Sequence, residues 1–235
     1  MNKAAGQVVL IPTFLDEAHL EPIPAYVTTA VKTCTVFFVE NEKSARRYLK
    51  QLWREMVIDN YQWYAIHKAE DQVKQSFLQH LRNGDTIGII SEAGCPGIAD
   101  PGQILVAAAQ ENGFAIKPLT GPSSILLALM ASGMNGQRFQ FHGYLPIDAT
   151  ERKKVLKELE ADSRKRNCTQ IFIETPYRNN QLIADVLQAC QPNTLFCIAV
   201  DITGDGESIR TQSIKAWAQK KPDIHKRPAI FLLQA

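Results

Sequence analysis

The 235-residue sequence has no Gly-x-Gly-x-x-Gly after its first apolar run, no Gly-x-x-x-x-Gly-Lys-Ser/Thr and no Gly-x-Ser-x-Gly. These absences remove the usual dinucleotide fingerprint, the P-loop and the strained serine elbow of the α/β-hydrolases. No apolar run approaches the roughly 18 residues of a membrane-spanning helix, so no membrane partner is expected. A polar lead too short for a secretory signal precedes the first strand-like run at Gln7, which points to a cytosolic protein. Five cysteines, an odd number without Cys-x-x-Cys spacing, read as reduced thiols rather than as disulfides or a zinc site. Five histidines are scattered without metal-ligand spacing, and no metal is expected. DITGDGES (residues 201–208) opens like a calcium loop, but its twelfth position is Gln212 where a bidentate Glu is required, so it reads as a tight turn. A net charge of +2 does not by itself argue for nucleic acid.

With 45% hydrophobic residues the chain can bury a full core. Short apolar runs alternate with amphipathic ones. Strands are expected at 8–11, 35–39, 62–66, 86–90 and 115–118, with helices at 24–32, 43–54, 71–83 and 103–112. Strands separated by helices imply a parallel sheet. PLTGPSS (118–124) concentrates Pro, Gly and Ser and marks a boundary between domains at 1–118 and 119–235. Beyond it are expected a small-residue helix stopped by Gly133, strands at 139–143, 170–174, 195–200 and 229–233, and helices at 151–166 and 179–190. The reading is two α/β domains, a parallel five-stranded sheet with helices on both faces and then a mixed sheet.

SEAGCPGIADPG (91–102) is the most telling segment. It sits where the fourth strand hands over to a helix, which is where open α/β sheets bind ligands. Its glycines permit close approach to a ligand and its prolines fix the path between them. Among polar groups, Glu40 stands at the end of the second strand, Arg46 and Arg47 on the next helix, His67 after the third strand, and Glu174 with Arg178 in ETPYR. Arg46 and Arg47 suit a solvated helix face better than a ligand site. The helix ERKKVLKELEADSRKR holds seven Lys or Arg and could meet phosphates, although its Glu and Asp suit a solvated face as well.

The order IPT, VENEKSARRYL, SEAGCPGIADPG, PLTGPSS, FHGYLP and FIETPYR resembles the tetrapyrrole methylase superfamily, the class III S-adenosylmethionine-dependent methyltransferases. The spelling is most similar to the branch that 2′-O-methylates a cytidine ribose of small-subunit ribosomal RNA. The resemblance implies a methyltransferase with S-adenosylmethionine in a cleft between two domains, and a homodimer. It implies cofactor contacts at Pro12, Glu92, Ala93, Gly94, Cys95, Ile98, Ala99, Asp100, Thr120, Gly121, Pro122, Ser123, Tyr144, Leu145, Glu174 and Pro176. Because the sulfonium already activates the methyl group, a hydroxyl acceptor needs alignment and a base, for which Glu40 and Glu174 are the candidates.

The chain departs from that branch on the substrate side. IPTFLDEAHLE lacks the glycine and asparagine after the first strand, VENEK keeps Glu40 but loses an Asp, a Thr and an Arg, and AVDITG and KRP replace charged motifs. RNA is the expected substrate; a tetrapyrrole or other small metabolite, or cofactor binding without catalysis, are the alternatives.

Overall fold

The computed structural model describes residues 6–66 and 70–235, so His67 lies outside the described residues. The chain divides into two compact units, Met1–Pro122 and Ser123–Ala235. Residues 119–122 belong with the first, where Leu119 is buried and donates its N–H to Leu10 O at 3.1 Å.

The first unit runs β1 (Gln7–Ile11), α1 (Tyr26–Val31), β2 (Val36–Val39), α2 (Glu42–Leu52), a 3₁₀ turn (Ile58–Asn60), β3 (Gln62–Ala65), α3 (Glu70–Arg82), β4 (Thr86–Ile90), α4 (Gln103–Glu111) and β5 (Ala115–Pro118). The strands form one parallel sheet in the order β3-β2-β4-β1-β5. Alternation along each strand sends side chains to opposite faces. Val9, Ile11, Phe37 and Val39 pack with Val27, Tyr48 and Leu49 of α1 and α2. Val8, Val36, Phe38, Ile87 and Ile89 pack with Phe77, Leu81 and Leu105 of α3 and α4. Sheet faces are therefore covered on both sides, as near-continuous apolar strands demand. β1 leaves toward β2 by way of α1, while its neighbour β4 leaves toward β5 by way of α4 on the other face. Adjacent strands whose connections part to opposite faces define the crevice where such sheets take ligands.

The second unit runs α5 (Ser124–Ser132), β6 (Phe139–Tyr144), α6 (Ala149–Arg166), β7 (Thr169–Ile173), α7 (Asn179–Ala189), β8 (Leu195–Val200), β9 (Ser208–Ser213), α8 (Ile214–Gln219) and β10 (Ala229–Gln234). Its sheet, ordered β6-β7-β10-β8-β9, is parallel only between β6 and β7. Phe172, Phe231 and Phe196 stack across β7, β10 and β8 with centroids about 6 Å apart, all fully buried. Helix α6 starts two residues sooner than the sequence pattern suggests, because the Asp148 carboxylate accepts the N–H groups of Thr150 and Glu151. It ends at Asn167 in the left-handed region, with Arg164, Lys165 and Arg166 in its last turn beside the negative end of the helix dipole.

β9 and α8 are absent from the sequence-based expectation. β9 is an edge strand whose SIRTQS has a single apolar residue, so no period-2 signal exists. α8 has six residues, too few for a periodicity, yet Ile214 and Trp217 on it join the core.

Candidate active site

In the first unit the 91–102 loop and the segment after β1 are stitched together. Thr13 donates its N–H to Gly94 O at 2.8 Å, and Gly94 returns its own N–H to Phe14 O at 3.4 Å. Gly94 has φ +70°, where a β-carbon would be strained and would stand 3.4 Å from Leu15 Cδ2 and Pro122 O. Ala99 is also left-handed, at φ 64°, a conformation that costs a non-glycine residue free energy and is characteristic of sites under functional constraint. The Cys95 thiol is 3.5 Å from Pro122 O. Gly121 lies so close to Pro12 that a β-carbon there would fall 2.1 Å from Pro12 Cβ. Tyr48 donates its hydroxyl to Pro12 O at 2.6 Å from the core, and Thr120 donates its N–H to the Tyr26 hydroxyl oxygen, also at 2.6 Å. Pro12, Gly94, Cys95, Gly121 and Pro122 thus converge on one cradle, while Glu92, Ala93, Ile98, Ala99 and Asp100 form the outer arc of its loop.

Three carboxylates gather at the crevice. Glu40, one residue past β2, accepts the Glu92 N–H at 2.9 Å, and Ser44 Oγ donates to Glu92 Oε1 at 3.3 Å. Asp100 is pushed up to about 6, mainly by burial and next by the negative charge of Glu40, with Glu92 adding to it and a hydrogen bond from Ser91 opposing it. The site is acidic, suited to a cation. The arginines proposed beside it are committed elsewhere: Arg46 pairs with Glu42 at 2.7 Å and lies over the Trp63 ring, and Arg47 pairs with Glu17 at 2.7 Å.

In the second unit, Tyr144 and Leu145 stand at the end of β6, and Glu174 and Pro176 just past the end of its parallel neighbour β7. Tyr144 is exposed and Leu145 buried. Glu174 is buried, and its Oε1 accepts from Arg178 Nε and Nη2 at 2.9 and 2.7 Å and from the Thr175 N–H at 2.7 Å. That carboxylate holds its own loop in shape. Ser123 precedes α5 without a side-chain capping bond.

The sequence reading missed how its own departures meet. Lys226 donates its N–H to Pro176 O at 3.0 Å, Asn179 Nδ2 to Arg227 O at 2.7 Å, and Asp201 its N–H to Pro228 O at 3.0 Å. KRP, AVDITG and ETPYR are thus one hydrogen-bonded assembly, joined by residues 27 to 50 positions apart that no local pattern links.

Among the described residues there is no cluster of metal-ligating side chains, and no helix is long and apolar enough to cross a membrane. All five cysteines are unbridged, and burial pushes the Cys34 and Cys190 thiols up to about 12.

The chain is similar to the ribosomal RNA small subunit methyltransferase I of Escherichia coli O157:H7, 30% identical over 99% of this chain and 79% of that protein. The protein of the same description from Xylella fastidiosa is 29% identical over 76% of this chain and 63% of its own length. Among solved structures, that of the methyltransferase CobJ has the same fold, with a TM-score of 0.62 at 16% identity, covering 98% of this chain and 94% of the other. Residues 20–217 match the tetrapyrrole (corrin/porphyrin) methylases. A parallel sheet with a glycine-rich loop at its switch point, a mixed second sheet and a match over most of the sequence place the chain in the tetrapyrrole methylase family of methyltransferases.

Proposed function

We propose that the protein transfers the methyl group of S-adenosylmethionine to a ribose 2′-hydroxyl of small-subunit ribosomal RNA. The observation that carries the cofactor reading is the acidic crevice at the β1/β4 switch point, where left-handed Gly94 and Ala99 expose backbone and Asp100 stands with Glu40 and Glu92. When bound, S-adenosylmethionine supplies an activated methyl group on a positively charged sulfur. The residues fit such a group: carboxylates and main-chain carbonyls suit its sulfonium and amine, and no bulky side chain stands at Gly94 or Gly121. The similarity to ribosomal RNA methyltransferases over 99% of the chain supports the acceptor.

In this reading Pro12, Gly94, Cys95, Thr120, Gly121 and Pro122 shape the cofactor cradle, and Glu92, Ala93, Ile98, Ala99 and Asp100 line its rim. The family resemblance assigns further cofactor contacts to Ser123, Tyr144, Leu145, Glu174 and Pro176. Glu40 is the better placed of the two candidate bases, because Glu174 is clasped by Arg178 and Thr175. Exposed Leu126 and Met130 on α5 support the homodimer that the family resemblance implies, checked by sedimentation, and an RNA substrate suits a cytosolic protein. Calorimetric titration with S-adenosylhomocysteine, followed by transfer of radiolabelled methyl to small ribosomal subunits from a strain deleted for the gene, tests the proposal. Cofactor binding with no label in RNA would refute the RNA acceptor, and no heat at millimolar ligand would refute the cofactor.

A further inference from the structure

A cavity of about 370 Å³ lies wholly within the second unit, between β9, α8 and residues 220–227. Its floor is apolar, built from Ile198, Val200 and the buried ring of Trp217, whose Nε1 donates to Phe196 O at 2.8 Å. Its rim is cationic, with Arg210, Lys220, Lys221 and Arg227 against the single carboxylate of Asp223. Arg227 is fixed by Asp201 and by Gly206 O. Among the described residues, Arg210, Lys220 and Lys221 have no side-chain ion pair or hydrogen bond, unlike Arg46, Arg47, Arg152 and Arg178, which each hold a carboxylate. Asp223 sets one negative charge against four cationic side chains, and its Oδ1 accepts from Asn180 Nδ2 at 2.8 Å and from the His225 N–H at 3.2 Å.

We infer that this cavity is an RNA phosphate-binding subsite that positions the substrate backbone. The inference rests on the RNA reading above and deepens it. Three uncommitted cations over an apolar floor match the phosphate and the sugar face of a nucleotide, and such contacts fix register without reading sequence. The subsite is tied to the ETPYR segment inside the same unit, because Lys226, beside the fixed Arg227, donates its N–H to Pro176 O at 3.0 Å. Val200 of AVDITG and Arg227 of KRP, two of the substrate-side departures, are among the residues that line the cavity.

The test is fluorescence anisotropy of a labelled short single-stranded RNA against the full chain, over a range of salt, with S-adenosylhomocysteine affinity measured in parallel. Arg210→Ala, Lys220→Ala and Lys221→Ala combined should weaken RNA binding by about tenfold or more at low salt. They should also make the slope of log affinity against log salt shallower by roughly one for each lost phosphate contact, with cofactor affinity unchanged. Arg210→Lys should keep the slope. RNA binding with an unaltered slope in the triple variant would overturn the subsite and leave the RNA reading standing. If the parent protein binds the cofactor but no RNA, both fall. If inorganic pyrophosphate binds at these cations and RNA does not compete with it, the cavity takes a free small anion and the assignment to RNA is overturned.

Discussion

Asp201 and Arg227 form an ion pair in which Arg227 Nε and Nη2 both reach Asp201 Oδ2, at 2.8 and 2.7 Å, and the same guanidinium also donates to Gly206 O. The two residues come from the AVDITG and KRP segments, 26 positions apart, so the pair ties one segment to the other. Arg227 is partly exposed, and such a pair contributes on the order of 0.5–1 kcal/mol. Arg227→Ala and Asp201→Ala should each lower stability by about 1 kcal/mol in urea titrations, and the double variant should lose less than the sum. Strict additivity would mean the pair is not coupled.

Gly121→Ala should be far more damaging than its single methyl suggests. The new β-carbon would meet the Pro12 ring at 2.1 and 2.5 Å, and Pro12 is held by Tyr48, so neither partner can yield cheaply. A loss of about 2–3 kcal/mol is expected on thermal unfolding, with cofactor affinity falling more than tenfold in any folded fraction. Gly94→Val combines positive φ with a branched side chain and should weaken cofactor binding more than tenfold at a smaller cost, about 1–2 kcal/mol. Unchanged calorimetric affinity in folded Gly94→Val would remove the 91–102 loop from the site.

The sheet alternation, the 91–102 loop and the turn at Asp201 were legible because each is local: periodicity, glycine and proline act within a few residues. What escaped the sequence was decided by tertiary contact. Arg46 and Arg47 looked available until Glu42, Trp63 and Glu17 claimed them. The closeness of Asp100 to Glu40 follows only from β2 and β4 being neighbours in a crossed-over sheet. Edge strand β9 is polar because one side of it needs no core, and with it the cationic cavity was hidden.

Arg152 on α6 and Asp185 on α7 are both nearly inaccessible and joined through two nitrogens, and Arg152 Nη1 also donates to Pro146 O and Ile147 O. Removing the carboxylate leaves a buried guanidinium with half its partners. Asp185→Ala should therefore cost about 3–5 kcal/mol, enough to leave the second unit largely unfolded at 37 °C, whereas Lys153→Ala beside it should cost under about 1 kcal/mol. Far-ultraviolet circular dichroism on heating separates the two. Equal melting of both variants would show the pair to be dispensable.

Asp100 gives the protein a pH signature with a defined sign. Its ordinary value of 3.8 holds in the unfolded chain and about 6 in the native one, so between these pH values the native state retains a proton that the unfolded state has lost. Stability from this group is complete below about 4 and falls as pH rises to about 6, then stays level. Asp100→Asn should remove that slope and raise the melting temperature at pH 7. Cofactor binding should move the opposite way, because a sulfonium favours the ionised carboxylate. In the parent protein, affinity for S-adenosylmethionine should climb between pH 5 and 7, and by more than affinity for the uncharged thioether of S-adenosylhomocysteine. In Asp100→Asn both profiles should flatten and the preference for the sulfonium should shrink. Calorimetry of the two ligands at several pH values decides it: equal pH profiles for both in the parent would mean that the Asp100 carboxylate does not face the methyl donor.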